Sequence, residues 1–341
     1  YKALRDHGGA TSHALQGSTM ATRTLLLTGL RILAVCLLFA VCFIAGGALS
    51  GLDKVAQESI ASQPDAHASP QVAPMPGDFL RGFLILSLSV GGVLSYLILR
   101  ARWHGWMLVA AIFVSMYGIS TVASQIDSIA FLSNKLPHGM IRAIFVQGAI
   151  AAALFAPLAV LTLGKWRAGS IRATKRTDVR PKLASVVLRV AILVAAFVFL
   201  YMFFGYYVAW RNPELQRYYG GPELASFWAS LRHNWISARW IYALAAFRGL
   251  LYVGCLYPIV RMLRTSRWES ALAAALFSAC WTTILLLPNP LMPASVARSH
   301  FWETLGFNLV FGALAGWLLC ITPPAPQVEP NLTAGLAASK L

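Results

Sequence analysis

Arginines beside or inside long apolar runs are the residues in this chain with the clearest capacity for chemistry. Arg81, Arg142, Arg248 and Arg298 are four of them. A guanidinium holds a permanent charge and five donors, so several brought together would bind an anionic group. Arg248 stands out because apolar residues flank it on both sides. An arginine at the centre of a membrane helix costs about 2.5–3.5 kcal/mol on insertion scales. Snorkelling is the simpler account, since a residue one turn inside can carry its charge to the interface along its own stem. Arg31 and Arg189, near the starts of two other runs, read the same way.

A second set could move protons. His138, His233 and His300 fall on the same predicted side as Glu214, Glu223 and Glu303. His300 and Glu303 are three apart and share a helix face. Imidazole with carboxylate suits acid–base work or zinc. However, the chain has no H-E-x-x-H, G-x-S-x-G, P-loop or paired-carboxylate motif, so no catalytic residue or metal ligand is assigned and no cofactor is expected. Cys36, Cys42, Cys255, Cys280 and Cys320 lie in apolar stretches without metal-ligand spacing and read as small packing residues. Gln147, Thr282, Thr283 and Asn308 are polar groups at depth, suited to interhelical hydrogen bonds.

Aromatic side chains form the third set. Trp210, Tyr218 and Tyr219 precede a segment in which Leu224, Phe227, Trp228, Leu231 and Trp235 recur at steps of three and four. That spacing predicts a helix lying in the membrane surface, with its start near Gly220-Gly221-Pro222. Trp210, Tyr218, Tyr219, Phe227, Trp228 and Trp235 then make an interfacial platform, because aromatic residues with a polar tip favour that depth.

The elements that must carry these residues are membrane helices. Hydrophobic residues make up 58% of the 341 positions and charged residues only 12%, against about 25% charged in soluble domains. Eight stretches reach the roughly 20 residues a span requires: 24–49, 80–99, 105–124, 140–163, 184–208, 243–263, 269–287 and 303–321. No Asp or Glu falls near the middle of any of them, which argues against an ion-coupled pump. The absence of strand-length alternation argues against a β-barrel. Positive charge at Arg23 before a long apolar run reads as an uncleaved anchor, with Met20 as a plausible start.

Lysine and arginine set the expected orientation. Arg100 and Arg102, the run from Lys165 to Lys182, and Arg261, Arg264 and Arg267 fall on one side if there are eight spans; Asp53, Asp78, Asp127, Glu214 and Glu303 fall on the other. Both termini are therefore expected in the cytoplasm, and a bacterial inner membrane is expected because no eukaryotic targeting signal is evident. The net charge of +16 then favours anionic lipid on that face as a partner. Nucleic acid is not expected, because the basic loop has no folded domain beside it.

The second half also resembles the first. Leu30-Arg31-Ile32 matches Leu188-Arg189-Val190, Arg81-Gly82 matches Arg248-Gly249, and Leu99-Arg100 matches Leu263-Arg264. Further on, Arg142 matches Arg298 and Gly148 matches Gly306. The expected fold is an all-α integral membrane protein with eight transmembrane helices in two parallel four-helix repeats. Its parts are a cytoplasmic segment 1–22, a repeat 23–165, a basic linker 166–183, a repeat 184–322 and a flexible tail 323–341. Residues 52–78 are expected to be a mostly flexible outer loop. Parallel repeats typically place their site between them. That predicts a small anionic or amphiphilic ligand bound or carried at the seam, with Arg81 facing Arg248. A membrane enzyme for a lipid-linked substrate at the outer leaflet, using His233, His300 and Glu303, is the alternative; a scaffold is the third.

Overall fold

The computed structural model describes residues 3–61, 76–133, 136–167, 182–220, 226–263, 265–289 and 292–320. All regular elements among them are helical. Eight helices are long and apolar enough to cross a membrane: Thr22–Ser50, Gly77–Arg100, Gly105–Leu132, Met140–Thr162, Leu183–Ala209, Trp240–Met262, Arg267–Leu286 and Ala294–Leu319, called spans 1 to 8 below. Large apolar side chains cover their outsides, among them Leu30, Leu37, Val41, Leu188, Phe199 and Leu250. In water such a surface would be a liability; in lipid it is the solvated face. The chain is a multi-pass membrane protein by this architecture.

Several boundaries differ from expectation. The helix holding span 1 begins at Ala3 and runs unbroken to Ser50, where Gly51 ends it in the left-handed region at φ 72°. Residues Leu52–Ala61 are helical rather than loop; 62–75, most of the basic linker and the tail lie outside the described residues. Span 3 continues to Leu132, eight residues past its expected end, and span 8 starts at Ala294, nine earlier than expected. Polar residues at these ends hid the extra turns, since their backbone is helical while their composition is not.

The spans pack in a regular pattern. Span 1 lies against spans 2 and 4, and span 3 against span 4; span 5 lies against spans 6 and 8, and span 7 against span 8. Between the halves, span 2 meets span 7 and span 3 meets span 6. One apolar core, including Phe39, Phe155, Phe197, Phe277 and Phe311, runs through both halves. Among the described residues, regular geometry breaks at three places: a π-helical segment Gly118–Ala123 in span 3, another at Gly205–Ala209 ending span 5, and a 3₁₀ segment Trp281–Leu286 ending span 7.

Close approach depends on glycine. A Cβ on Gly312 or Gly316 would stand 2.7 Å from Ala274 O or 2.2 Å from Ser270 O, so spans 7 and 8 touch backbone to backbone there. At span 1 the close contact falls on Gly46, 2.7 Å from Gln147 O by the same measure. Asn308 donates to Thr282 at 3.3 Å, and Ser89 and Thr283 share a hydrogen bond at 3.1 Å. These are the interhelical bonds expected of such residues.

The ends of spans 2 and 6 are tied across the seam. Ala101 and Leu263 form an antiparallel bridge, Arg102 N–H donates to Met262 O at 2.7 Å, and its Nε donates to Arg261 O at 2.9 Å. Lys165 Nζ adds a bond to Ala101 O at 3.0 Å. Glu269, held at the start of span 7 by Ser266 in a capping-box sequence, receives Arg100 through both oxygens at 2.7 and 2.8 Å. We call this the basic end. Gly316→Ala should destabilise the protein by about 1–3 kcal/mol through overpacking, read as a lower unfolding temperature in detergent, whereas Gly92→Ala, with open space around it, should leave that temperature unchanged.

Candidate functional site

The opposite, aromatic end holds a cluster of ionisable side chains drawn from both halves. Arg248, on span 6, is 7% exposed. Its Nη1 lies 2.7 Å from Asp127 Oδ2 of span 3, and its Nε donates to Ala123 O at 3.2 Å. The guanidinium also stands 5.3 Å from the Tyr201 ring centre and 5.8 Å from that of Phe197. The charge is therefore met by a carboxylate, a carbonyl and two ring faces. Snorkelling to the interface is not what this side chain does.

Asp127 reaches Arg248 because span 3 is both longer and less regular than expected. A π-helical turn adds a residue and shifts the phase of everything after it. Ala123, which closes that turn, supplies the carbonyl that Arg248 uses. Gly118 and Gly148 let spans 6 and 4 close on the segment: a Cβ there would fall 2.2 Å from Cys255 Sγ and 2.0 Å from Thr121 Oγ1. Asp127 is about a third exposed, yet its Oδ1 is shielded and has no hydrogen-bond partner.

Span 8 supplies His300 and Glu303. His300 Nδ1 is 2.7 Å from Glu303 Oε2, and its Nε2 is 3.0 Å from the Tyr219 hydroxyl. An ionised carboxylate only accepts, so Nδ1–H donates to it, and Nε2 shares the second hydrogen bond with the Tyr219 hydroxyl. Burial pushes the Tyr219 phenol well above its ordinary range, which keeps it a neutral donor at physiological pH. Gly205, opening the second π-helical segment, would place a Cβ 3.6 Å from Glu303 Oε1. Phe131, one turn after Asp127 on span 3, meets the Tyr219 ring edge-on at 6.4 Å.

Tyr219 is positioned by a short helix, Pro213–Tyr219, that the periodicity did not reveal. Asn212 caps it by accepting from Glu214 N–H, with proline at its first position. The Asn212 amide then donates to Ser295 O and Ser299 Oγ at 3.1 and 2.9 Å, and Glu214 accepts from Ser295. These bonds fasten the helix to the first turn of span 8 and set Tyr219 over His300.

The other expected site residues fall around this cluster rather than inside it. Arg81, Arg142 and Arg298 are exposed. Arg81 is not Arg248's partner; Asp127 takes that place. Trp210, Tyr218 and Tyr219 are half-buried, and Tyr218 packs edge-on against Tyr219 at 5.0 Å. The surface helix runs Phe227–Ser237 with Ser226 as its cap; residues 221–225, including the expected proline start and Leu224, lie outside the described residues. Its stripe is split. Phe227 is buried against Tyr206 and Tyr207, whereas Trp228 and Trp235 are 75% and 58% exposed. His233 sits on this helix; Tyr219 is the third member of the span 8 pair.

No group of three or more His, Cys, Asp or Glu among the described residues is arranged to hold a metal ion. Asp127 and Tyr219 were the members that the sequence concealed. One was hidden by an underestimated helix, the other by a seven-residue helix too short to show a period. No protein-family model, curated protein or solved structure matches the chain.

The ion pair makes a direct stability prediction. Arg248→Met should leave Asp127 without its partner. Breaking a buried pair typically costs about 3–5 kcal/mol, and the partial exposure of Asp127 places the effect toward the lower figure. The double variant Arg248→Met/Asp127→Leu should recover most of that loss. Unfolding of the single and double variants in one detergent measures the coupling.

Proposed function

We propose that the protein binds a small amphiphilic ligand at the aromatic end of the seam, with the headgroup against Asp127, Tyr219, His300 and Glu303, and moves it between the two faces of the membrane. The observation that carries this reading is the convergence of those side chains, with Arg248, from spans 3, 6 and 8 and the Pro213–Tyr219 helix. Polar groups held inside a bundle facing lipid mark ligand paths more often than packing. Exposed Arg81, Arg142 and Arg298 act as a rim that draws the anionic part of a headgroup, while Trp228 and Trp235 anchor the platform in the interface. The bridged basic end closes the other side of the seam, facing the cytoplasm with both termini.

The two halves are read as parallel repeats. Three arrangements support this. The packing of spans 1–4 repeats in spans 5–8, and the cross-seam contacts 2–7 and 6–3 exchange under the same correspondence. The irregular segments Gly118–Ala123 and Trp281–Leu286 have equal length at matching places. Arg31 approaches Gly164 at the end of span 4, and Arg189 donates to Leu318 O at the end of span 8.

A second reading, a membrane enzyme for a lipid-linked substrate, draws on the ordered Glu303–His300–Tyr219 series, in which a carboxylate orients an imidazole as a general base requires. Thermal unfolding with dodecylphosphocholine, dodecyl phosphate or dodecyltrimethylammonium tests binding. A bound probe at a hundred times its Kd adds about 2.7 kcal/mol and should raise the unfolding temperature of the wild type. His300→Ala should lose the response, and Arg298→Ala should weaken it most for the phosphate. If no probe shifts the wild type, or the His300→Ala response is undiminished, the binding reading fails.

A further inference from the structure

We propose that the basic end carries two equivalent binding sites for an anionic phospholipid, one in each half. Each is built from an arginine on the half's first span and an edge-on pair of tryptophans between its third and fourth. The two sites lie at the opposite end from the ligand cluster and need only the parallel-repeat reading, for their equivalence.

The first site lies where span 3 begins and span 4 ends. Trp106 and Trp166 meet edge-on there, with ring centres 5.0 Å apart. The two chain segments are fastened beside them, since Gly105 N–H donates to Lys165 O at 3.0 Å. Gly105 takes φ 57°, and a Cβ on it would stand 3.1 Å from Trp166 O. Arg31 of span 1 reaches the same turn. Its Nη1 lies 3.8 Å from the place a Cβ on Gly164 would occupy.

The second site repeats the arrangement. Trp268, at the start of span 7, and Trp317, at the end of span 8, meet edge-on at 4.5 Å. Cys320 Sγ donates to Thr265 O at 4.0 Å and ties the end of span 8 to the turn before span 7. Arg189 of span 5 donates from Nη1 to Leu318 O at 2.9 Å, one residue from Trp317. That bond fixes the guanidinium beside the tryptophan pair and takes one of its five donors.

A phospholipid fits these groups. Its phosphate monoanion accepts from the guanidinium. Trp106 and Trp268 are 70% and 75% exposed, and an indole at the interface keeps its ring in lipid while its N–H meets glycerol or ester oxygens. Exposed Leu30 and Leu188, next to the two arginines, give the acyl chains an apolar track. Charge selects the headgroup. Exposed Arg167 follows Trp166, exposed Arg267 precedes Trp268, and the nearby carboxylate of Glu269 is already paired with Arg100. A zwitterionic headgroup brings its own cation into that field, whereas an anionic one does not. Aromatic anchoring alone has no such preference.

Native mass spectrometry of the full chain in mild detergent, supplied with dioleoylphosphatidylglycerol or dioleoylphosphatidylcholine, counts the lipids retained. The wild type should hold two molecules of phosphatidylglycerol, about fivefold more tightly than phosphatidylcholine, which is what one interfacial arginine contributes. Arg31→Gln and Arg189→Gln, which keep an amide donor in place, should each lose one lipid, and the double variant both. Trp106→Leu should weaken the first site alone. Equal retention of the two lipids by the wild type, which needs no variant to fold, overturns the proposal. So does an unchanged phosphatidylglycerol count in the double variant, or a loss in only one of the two single arginine variants.

Discussion

A guanidinium placed among spans 3, 5 and 6 has to be neutralised where it lies, since desolvating an ion costs several kcal/mol even after relaxation. Arg248 meets that demand with Asp127, the Ala123 carbonyl and the rings of Phe197 and Tyr201. Each partner imposes a condition on its own helix. Span 3 must stay helical past its apolar core and carry a π-helical turn, and span 5 must turn two aromatic faces inward. Gly118 must lack a side chain so that span 6 can approach. Much of the aromatic end follows from one buried positive charge.

The basic end solves a different problem. There the chain leaves its helices, and freed backbone groups need partners. The Ala101–Leu263 bridge and the Arg102–Met262 bond supply them across the seam. The Arg100–Glu269 pair beside them is partly exposed, at 52% and 26%, so it adds little on its own. Its contribution is registration, because Glu269 sits in the first turn of span 7, where its N–H donates to the capping Ser266, and its carboxylate ties that turn to span 2, with Tyr96 as a further donor at 3.0 Å.

The spans were legible because lipid exposure demands about 20 apolar residues in a row, a signal that few other structures produce. The same signal fails at helix ends. Asp127 and Ser295 look like loop residues by composition, though their backbone is helical. His300 and Glu303 could be paired from their spacing alone, as one helix fixes their geometry. Asp127 with Arg248, and Tyr219 with His300, depend on how separate helices dock, which no local pattern records. The aromatic stripe shows the same limit. A three-and-four spacing placed Phe227 and Trp228 together, but they point to opposite environments, one to Tyr206 and one outward.

The seam is therefore held by two kinds of bond with different sensitivities. Backbone bonds and the bridge at the basic end do not titrate in the physiological range. At the aromatic end the charge of Arg248 is balanced by one carboxylate, Asp127, beside the Ala123 carbonyl and two ring faces. The two ends of the seam therefore differ in kind: backbone bonds join spans 2 and 6 at one, and a side-chain ion pair joins spans 3 and 6 at the other. The π-helical turn begins at the Gly118 contact and gives way to the regular helix Ser124–Leu132 that carries Asp127, so the irregular segment sets the phase at which Asp127 meets Arg248.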